Sequence, residues 1–319
     1  MMPRVVLLCV LAVLGSGAVA QSYPNRPVTL VVPYPPGGTT DAMGRITAQR
    51  LQVALGQQVV VDNRSGASGA IGSESVRRAQ PDGYTLLFNA SIFLLGRSVQ
   101  KATPYDPVAD FRPLARVGQV PLLMLAHPSV KATTIAHLVT EVEANPTAFN
   151  FANSAAGSAG HLASLEFKRL TGLQVPVVTY RGSAGALTDL VGGQVQLMFD
   201  PVGVAMAQVR AGKLRALLVT AAERTEAAPD VPTSAEAGLG ELRLVSWYGV
   251  WGPRNMPDDV VARLDLALVT LSRDDEMAKR VKGIGVTPVF ENGQAFAAFV
   301  AMEVKRNAAL LSASGFQPE

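Results

Sequence analysis

The sequence predicts an α/β protein with a mostly parallel sheet, folded as two lobes. Three observations carry that expectation. Short β-branched runs alternate with amphipathic segments along most of the chain. The loops between them are rich in glycine, serine and proline, with 29 Gly and 21 Pro in 319 residues. Two longer extended stretches, near 117–126 and 243–252, have the form of strands crossing between lobes.

Taken in order, the first segment is not part of the mature fold. Arg4, the apolar run from Val5 to Leu14 and the small-x-small site Ala18-Val19-Ala20 make residues 1–20 a cleaved secretory signal peptide. The run is too short to span ~30 Å of hydrocarbon comfortably. Cys9, the sole cysteine, lies inside that run and not just after a cleavage site, so it is no lipid-attachment residue. Removing 20 of the 319 residues leaves 299 without cysteine, and the loss of Arg4 takes the formal charge from +3 to +2. The expected location is the periplasm.

In the mature chain, residues 28–33 read as a strand, 41–55 as a helix, 59–61 as a strand, 70–79 as a helix and 84–88 as a strand. The middle repeats the theme, with strands at 149–152, 175–179, 195–199 and 214–220. Helices run from the loop after 152 to about 171 and over 186–191. The last third holds a strand at 245–250 and two long helices, 258–282 and 294–312.

Composition excludes several function classes. With 48% hydrophobic and 17% charged residues, against ~25% charged on average, the chain has ample core and is not disordered. A net +3 spread over this length is too weak a field for a nucleic-acid binder. One Cys and three His leave no zinc, iron–sulfur or disulfide framework. No cofactor, metal ligand or catalytic residue is expected.

In open parallel sheets, ligands bind beyond the carboxyl ends of the strands. There this sequence places Tyr34-Pro35-Pro36-Gly37-Gly38-Thr39-Thr40, between a strand and a helix. The glycines permit positive φ and close backbone approach. A threonine can cap the helix, and free first-turn N–H groups form an anion site. A tight turn without ligand fits the same residues. The pattern recurs where Gly157 and Gly160 flank Ser158, a candidate N-cap, and again at Gly182-Ser183. Together the three loops could hold a carboxylate through amides and hydroxyls, without a dedicated cation. Arg181 reads as a solvated loop-tip residue. Asp200 either caps the next loop or faces the cleft, where it would favour a ligand amine or hydroxyl.

Nucleotide motifs fail: the first loop lacks the Lys of a P-loop, and residues 66–72 do not match G-x-G-x-x-G. Ser158 and His161, with Asp200 near in space, allow a hydrolase triad to be imagined, but no G-x-S-x-G elbow is present. Ser98-Val99-Gln100-Lys101 matches S-x-x-K without its companion motifs. His161 fits a loop-orienting role better than that of a base.

These residues resemble the periplasmic solute-binding proteins of the tripartite tricarboxylate transporters, the Bug family. The resemblance covers nearly the whole mature chain. Its blocks include Pro33-Tyr34-Pro35-Pro36-Gly37-Gly38 with Asp41, Val59-Val60-Val61-Asp62-Asn63-Arg64, Pro81-Asp82-Gly83-Tyr84, Tyr180-Arg181-Gly182-Ser183 and Gly192-Gly193-Gln194-Val195. The resemblance implies a two-lobed, type II-like periplasmic binding fold, with lobe 1 formed by 21–122 and 247–319 and lobe 2 by 123–246. It implies a monomer that delivers a small carboxylate to membrane permease subunits. Carried over, the ligand site comprises Tyr34, Pro35, Gly37, Gly38, Thr39, Asp41, Ser91, Ser154, Ser158, His161, Tyr180, Gly182, Ser183 and Asp200, acting partly through ordered water. One departure stands out. Family members commonly carry Ser-Thr or Pro-Pro before the histidine, where this chain has Ala159-Gly160; a hydroxyl for the distal part of the ligand is missing, which implies either a roomier pocket or one that uses more water. Alternatives are a sensor reporting to a membrane signalling partner and, from another class, a periplasmic hydrolase using Ser158 and His161.

Overall fold

Val28, Leu30, Val31 and Val32 are fully buried, so β1 (Val28–Val32) lies in a sheet covered on both faces, as its apolar run, broken only by the half-buried Thr29, suggests. The computed structural model describes residues 23–318, and the predicted signal peptide lies outside them. β1 pairs in parallel with β2 (Val59–Asn63) and β3 (Thr85–Ala90). The connections carry α1 (Thr39–Leu55) and α2 (Ala70–Arg77). After β3, a 3₁₀ turn (Ser91–Leu95) and the short α3 (Gly96–Val99) lead to β4 (Phe111–Ala126), 16 residues long.

The length of β4 is what joins two lobes. Residues 111–121 pair antiparallel with β9 (Val245–Pro253). From Leu122 onward the partners become β7 (Leu197–Pro201) and β8 (Arg215–Val219). Between β4 and β9 the chain forms α4 (Ile135–Ala144), β5 (Phe151–Asn153), α5 (Ala159–Thr171), β6 (Val177–Thr179), α6 (Ser183–Val191), β7, α7 (Val202–Arg210) and β8. It then returns along β9 to α8 (Asp258–Thr270), α9 (Asp275–Gly283), β10 (Thr287–Asn292) and α10 (Gly293–Ala313). Among the described residues the strand order is β2-β1-β3-β9-β4-β7-β5-β6, with β10 and β8 also on β4.

Each half has its own aromatic centre. Phe93, Phe111, Trp247, Trp251 and Phe296 pack in the first; Phe151, Phe167 and Phe199 pack in the second. α10 touches both, since Phe296 and Val300 belong to the first cluster and Leu311 to the second.

One buried residue ties the two crossings. Thr220 Oγ1 accepts from the Leu122 N–H at 2.9 Å and donates to the Leu244 carbonyl at 2.5 Å. Thr220→Val keeps the shape but strands a buried donor and a buried acceptor, which costs about 2 kcal/mol. Urea unfolding should show that loss; an unchanged midpoint would mean that the crossings are held elsewhere.

Several expectations need correction. The single helix expected over 258–282 is two, α8 and α9, because Asp274 caps the second by accepting from the Met277 N–H. Asp200-Pro201, read as a loop, completes β7, and α7 follows at once. α4, capped by Thr134, and the edge strand β10 were not anticipated.

Candidate functional site

Loops follow the carboxyl ends of β1 in one lobe and of β5 and β6 in the other, while β3 runs straight into its 3₁₀ turn and β7 into α7. The first loop, Pro33 to Gly38, is folded back by a side chain. Gly37 has φ of +95°, which favours glycine, and its N–H donates to Asp41 Oδ2 at 3.0 Å. The same buried carboxylate accepts from Arg45 Nε at 3.0 Å and from Asn63 Nδ2 at 2.9 Å. Burial opposes its ionisation, but Arg45, Gly37 and Asn63 together hold the carboxyl below its ordinary range. Asp41, one of the predicted site residues, shapes the loop.

The helix cap also differs from expectation. Gly38, not a threonine, is the N-cap of α1, with φ of −83° and no side-chain capping bond. The N–H groups of Thr39, Thr40 and Asp41 lie in the first turn, where no intrahelical acceptor exists. A Cβ on Gly38 would meet nothing within 4 Å, so this helix end faces open space. Pro35 is exposed beside it. The Tyr34 hydroxyl turns inward and donates to Asn89 Oδ1 at 2.9 Å. Ser91 is buried at the start of the 3₁₀ turn after β3.

In the second lobe, Ser158 caps α5 by accepting from the His161 N–H at 3.1 Å. The His161 ring accepts the Gly157 N–H at Nδ1, 3.0 Å away. Burial, and secondarily Lys168, pushes its pKa down to about 4, so the ring is neutral and braces the loop. The imagined triad is not assembled. Ser158 bonds the backbone of His161 and not its ring, while Asp200 bonds Ser183. Gly160 has a packing task of its own: a Cβ there would sit 2.3 Å from the Phe199 carbonyl oxygen, so this glycine seats α5 on β7.

The β6–α6 loop supplies the second open helix end. Gly182, with φ of 122°, is the N-cap of α6 and makes no side-chain cap; its N–H donates to the Ser154 carbonyl at 2.8 Å. A Cβ there would also meet nothing within 4 Å. Arg181 is exposed. Tyr180 points away, donating to Asp189 Oδ2 at 2.8 Å, and burial plus that carboxylate pushes its pKa up to about 12.

Asp200 is the group without a settled partner. It is 1% exposed, opposite Leu123 on β4. Ser183 Oγ donates to its Oδ1 at 2.8 Å, while Oδ2 is buried with no hydrogen-bond partner. Burial pushes its pKa up to about 7, and the Ser183 bond offsets only part of that. Tyr248 on β9 feels the Asp200 charge and interacts with the hydroxyls of Ser246 and Thr39. Tyr248 thus senses both Thr39, in the first turn of α1, and Asp200, which Ser183 in the first turn of α6 holds. Asn89, Gln100, Tyr105 and Ala156 help to line a small cavity that none of Thr39, Tyr248, Asp200 and Ser183 borders.

Such an arrangement offers N–H and hydroxyl donors without a cation, which suits a carboxylate. Among the described residues no His/Cys/Asp/Glu cluster could hold a metal, and no helix is long and apolar enough to cross a membrane. Sequence reasoning missed Tyr248, Ser246 and Asn89 because they sit in strands. The available signal was polar groups interrupting buried apolar runs.

The sequence pattern described as "Tripartite tricarboxylate transporter family receptor" matches residues 43–316. Protein BugT of Bordetella pertussis is 34% identical over 298 residues, covering 93% of this chain and 91% of its own. An R. palustris protein solved with adipate is 35% identical, with a TM-score of 0.86 over 93% of this chain and 100% of that one. MatC from Rhodopseudomonas palustris, solved with bound malate, is 30% identical, with a TM-score of 0.80 over 91% of this chain and 100% of its own. The two-lobed α/β architecture is that of these relatives, and the chain belongs to the receptor family of the tripartite tricarboxylate transporters, with the Bug proteins among its close homologues.

Proposed function

We propose that the protein captures a small carboxylate in the periplasm and hands it unchanged to the permease subunits of a tripartite transporter. Capture takes place between a lobe of residues 21–122 with 247–319 and a lobe of residues 123–246. The observation that carries this reading is the pair of helix N-termini, α1 and α6, that lack side-chain caps, with Ser183 of α6 holding the buried Asp200 and Tyr248 sensing that charge. Two relatives were solved with adipate and with malate, both small carboxylates. Ser154 and Ser91 flank the seam, while Asp41, Ser158, His161 and Tyr180 shape its walls.

Export follows the signal peptide. The secreted protein should begin at Gln21 on N-terminal sequencing, and a secreted chain still carrying Met1 would refute cleavage after Ala20.

The anion donors are tested by two variants and a thermal-shift assay with adipate and malate. Ligand at 100 times its Kd stabilises the wild type by ~2.7 kcal/mol. Gly38→Val places its side chain in open space at an ordinary φ, so the variant folds, but the isopropyl group blocks approach to the α1 amides. Its ligand shift should vanish. Arg181→Ala should keep the full shift. Loss in Arg181→Ala with retention in Gly38→Val would mean that a guanidinium holds the carboxylate.

A further inference from the structure

Asp200 is the fully buried acid at the seam, and carboxylate capture alone gives it no task. Its surroundings are neutral on every side. α6 presents Ser183, β9 presents Tyr248 and, beside it, Ser246, α1 reaches the same tyrosine through Thr39, and β4 lies opposite with Leu123. Ser183 is the one group that offsets its desolvation. Oδ2 is buried and receives no hydrogen bond. An ionised Asp200 would place a second, uncompensated negative charge at the seam where the ligand carboxylate must sit, and two carboxylates sharing a site do not both ionise readily. The neutral acid has the opposite effect, because Oδ2–H becomes one more donor facing the anion.

We propose that Asp200 binds the ligand as a carboxylic acid, so that above neutrality, where the free protein has released that proton, each captured carboxylate draws one from solvent into the complex. This rests on the carboxylate reading above and deepens it. Asp200 becomes a specificity determinant that admits an anionic group and disfavours a ligand ammonium, which would instead require its ionised form.

The test is calorimetric titration of the full mature protein with adipate and with malate between about pH 6.5 and 9, where both acids carry their full charge. Each titration is run in two buffers of different ionisation enthalpy to count protons. The expected result is uptake of up to one proton per ligand and a Kd that rises about tenfold per pH unit above neutrality. Asp200→Asn should bind with a Kd that does not change with pH and without proton uptake. Infrared difference spectra of the ligand-free protein give a reading that needs no ligand. A protonated-carboxyl band present near pH 6, absent near pH 9 and missing from Asp200→Asn supports the proposal. A wild-type protein without that band near pH 6 overturns it. Binding of either acid with a flat pH profile and no proton uptake also overturns it while leaving carboxylate capture intact. Tighter binding of an amine-bearing acid such as aspartate, without proton uptake, overturns it in favour of an ionised Asp200. Failure of both dicarboxylates at every pH removes the carboxylate reading and this proposal together.

Discussion

Between about pH 4 and pH 7 the unliganded wild-type protein is expected to lose roughly 4 kcal/mol of stability relative to Asp200→Asn. The folded carboxyl is raised from 3.8 to about 7 by burial. In this window the folded protein therefore holds a proton that the unfolded chain has already released. Its contribution is fully present below the ordinary carboxyl value and disappears as pH rises through about 7. His161 works in the other direction. Its pKa falls from 6.5 to about 4, so its contribution is present above 6.5 and is lost as pH drops through about 4. The two slopes largely cancel in the wild type over their shared range. The comparison with Asp200→Asn isolates the aspartate, since the histidine is common to both proteins. Urea unfolding at unit pH steps reads the difference, and parallel curves would mean that Asp200 titrates as an exposed carboxylate does.

Gly160→Ala is expected to destabilise the protein by about 3 kcal/mol, at the upper end of what overpacking one methyl costs. The new Cβ would lie 2.3 Å from a backbone oxygen, that of Phe199. Backbone in a paired central strand cannot swing aside, so α5 must lift from β7. That shift carries the Ser158 cap and the Gly157–His161 bond with it, and ligand affinity should fall along with stability. Gly185→Ala is the matched control, also in a helix, where the nearest atom to the new Cβ is Tyr180 Cδ1 at an ordinary 3.7 Å. There the better helix propensity of alanine should stabilise by up to about 1 kcal/mol. Equal urea midpoints for Gly160→Ala and the wild type would show that α5 has room to move and that the close seating is unimportant.

Much of the frame was legible because local pattern and burial agree along it. The apolar runs at Val28–Val32, interrupted only by Thr29, and at Leu197–Phe199 mark buried strands, and the Gly-containing loop after the first marks where a helix begins. Ser158 as a cap and His161 as a loop brace followed from residue type and spacing alone. What escaped was set by tertiary context. Nothing local distinguishes the solvent-side edge strand β10 from a loop, because its pairing with β4 is interrupted by a register shift. Asp41 looks like a first-turn acid suited to any helix N-terminus. Its actual task depends on Asn63, which the fold brings in from β2. Tyr248 lies in a run dominated by buried aromatics, and only the approach of Thr39 and Asp200 from the two lobes gives it a place at the seam.

The most direct measurement is a crystal structure of the mature protein with adipate or malate bound. The expected electron density places a ligand carboxylate within hydrogen-bond distance of first-turn amides of both α1 and α6, directly or through one water, with Asp200 Oδ2 pointing at it and Arg181 uninvolved. A ligand carboxylate paired to Arg181, or lodged away from the interlobe seam in the outer groove beside Ile71 and Arg78, would contradict capture by neutral donors between the lobes.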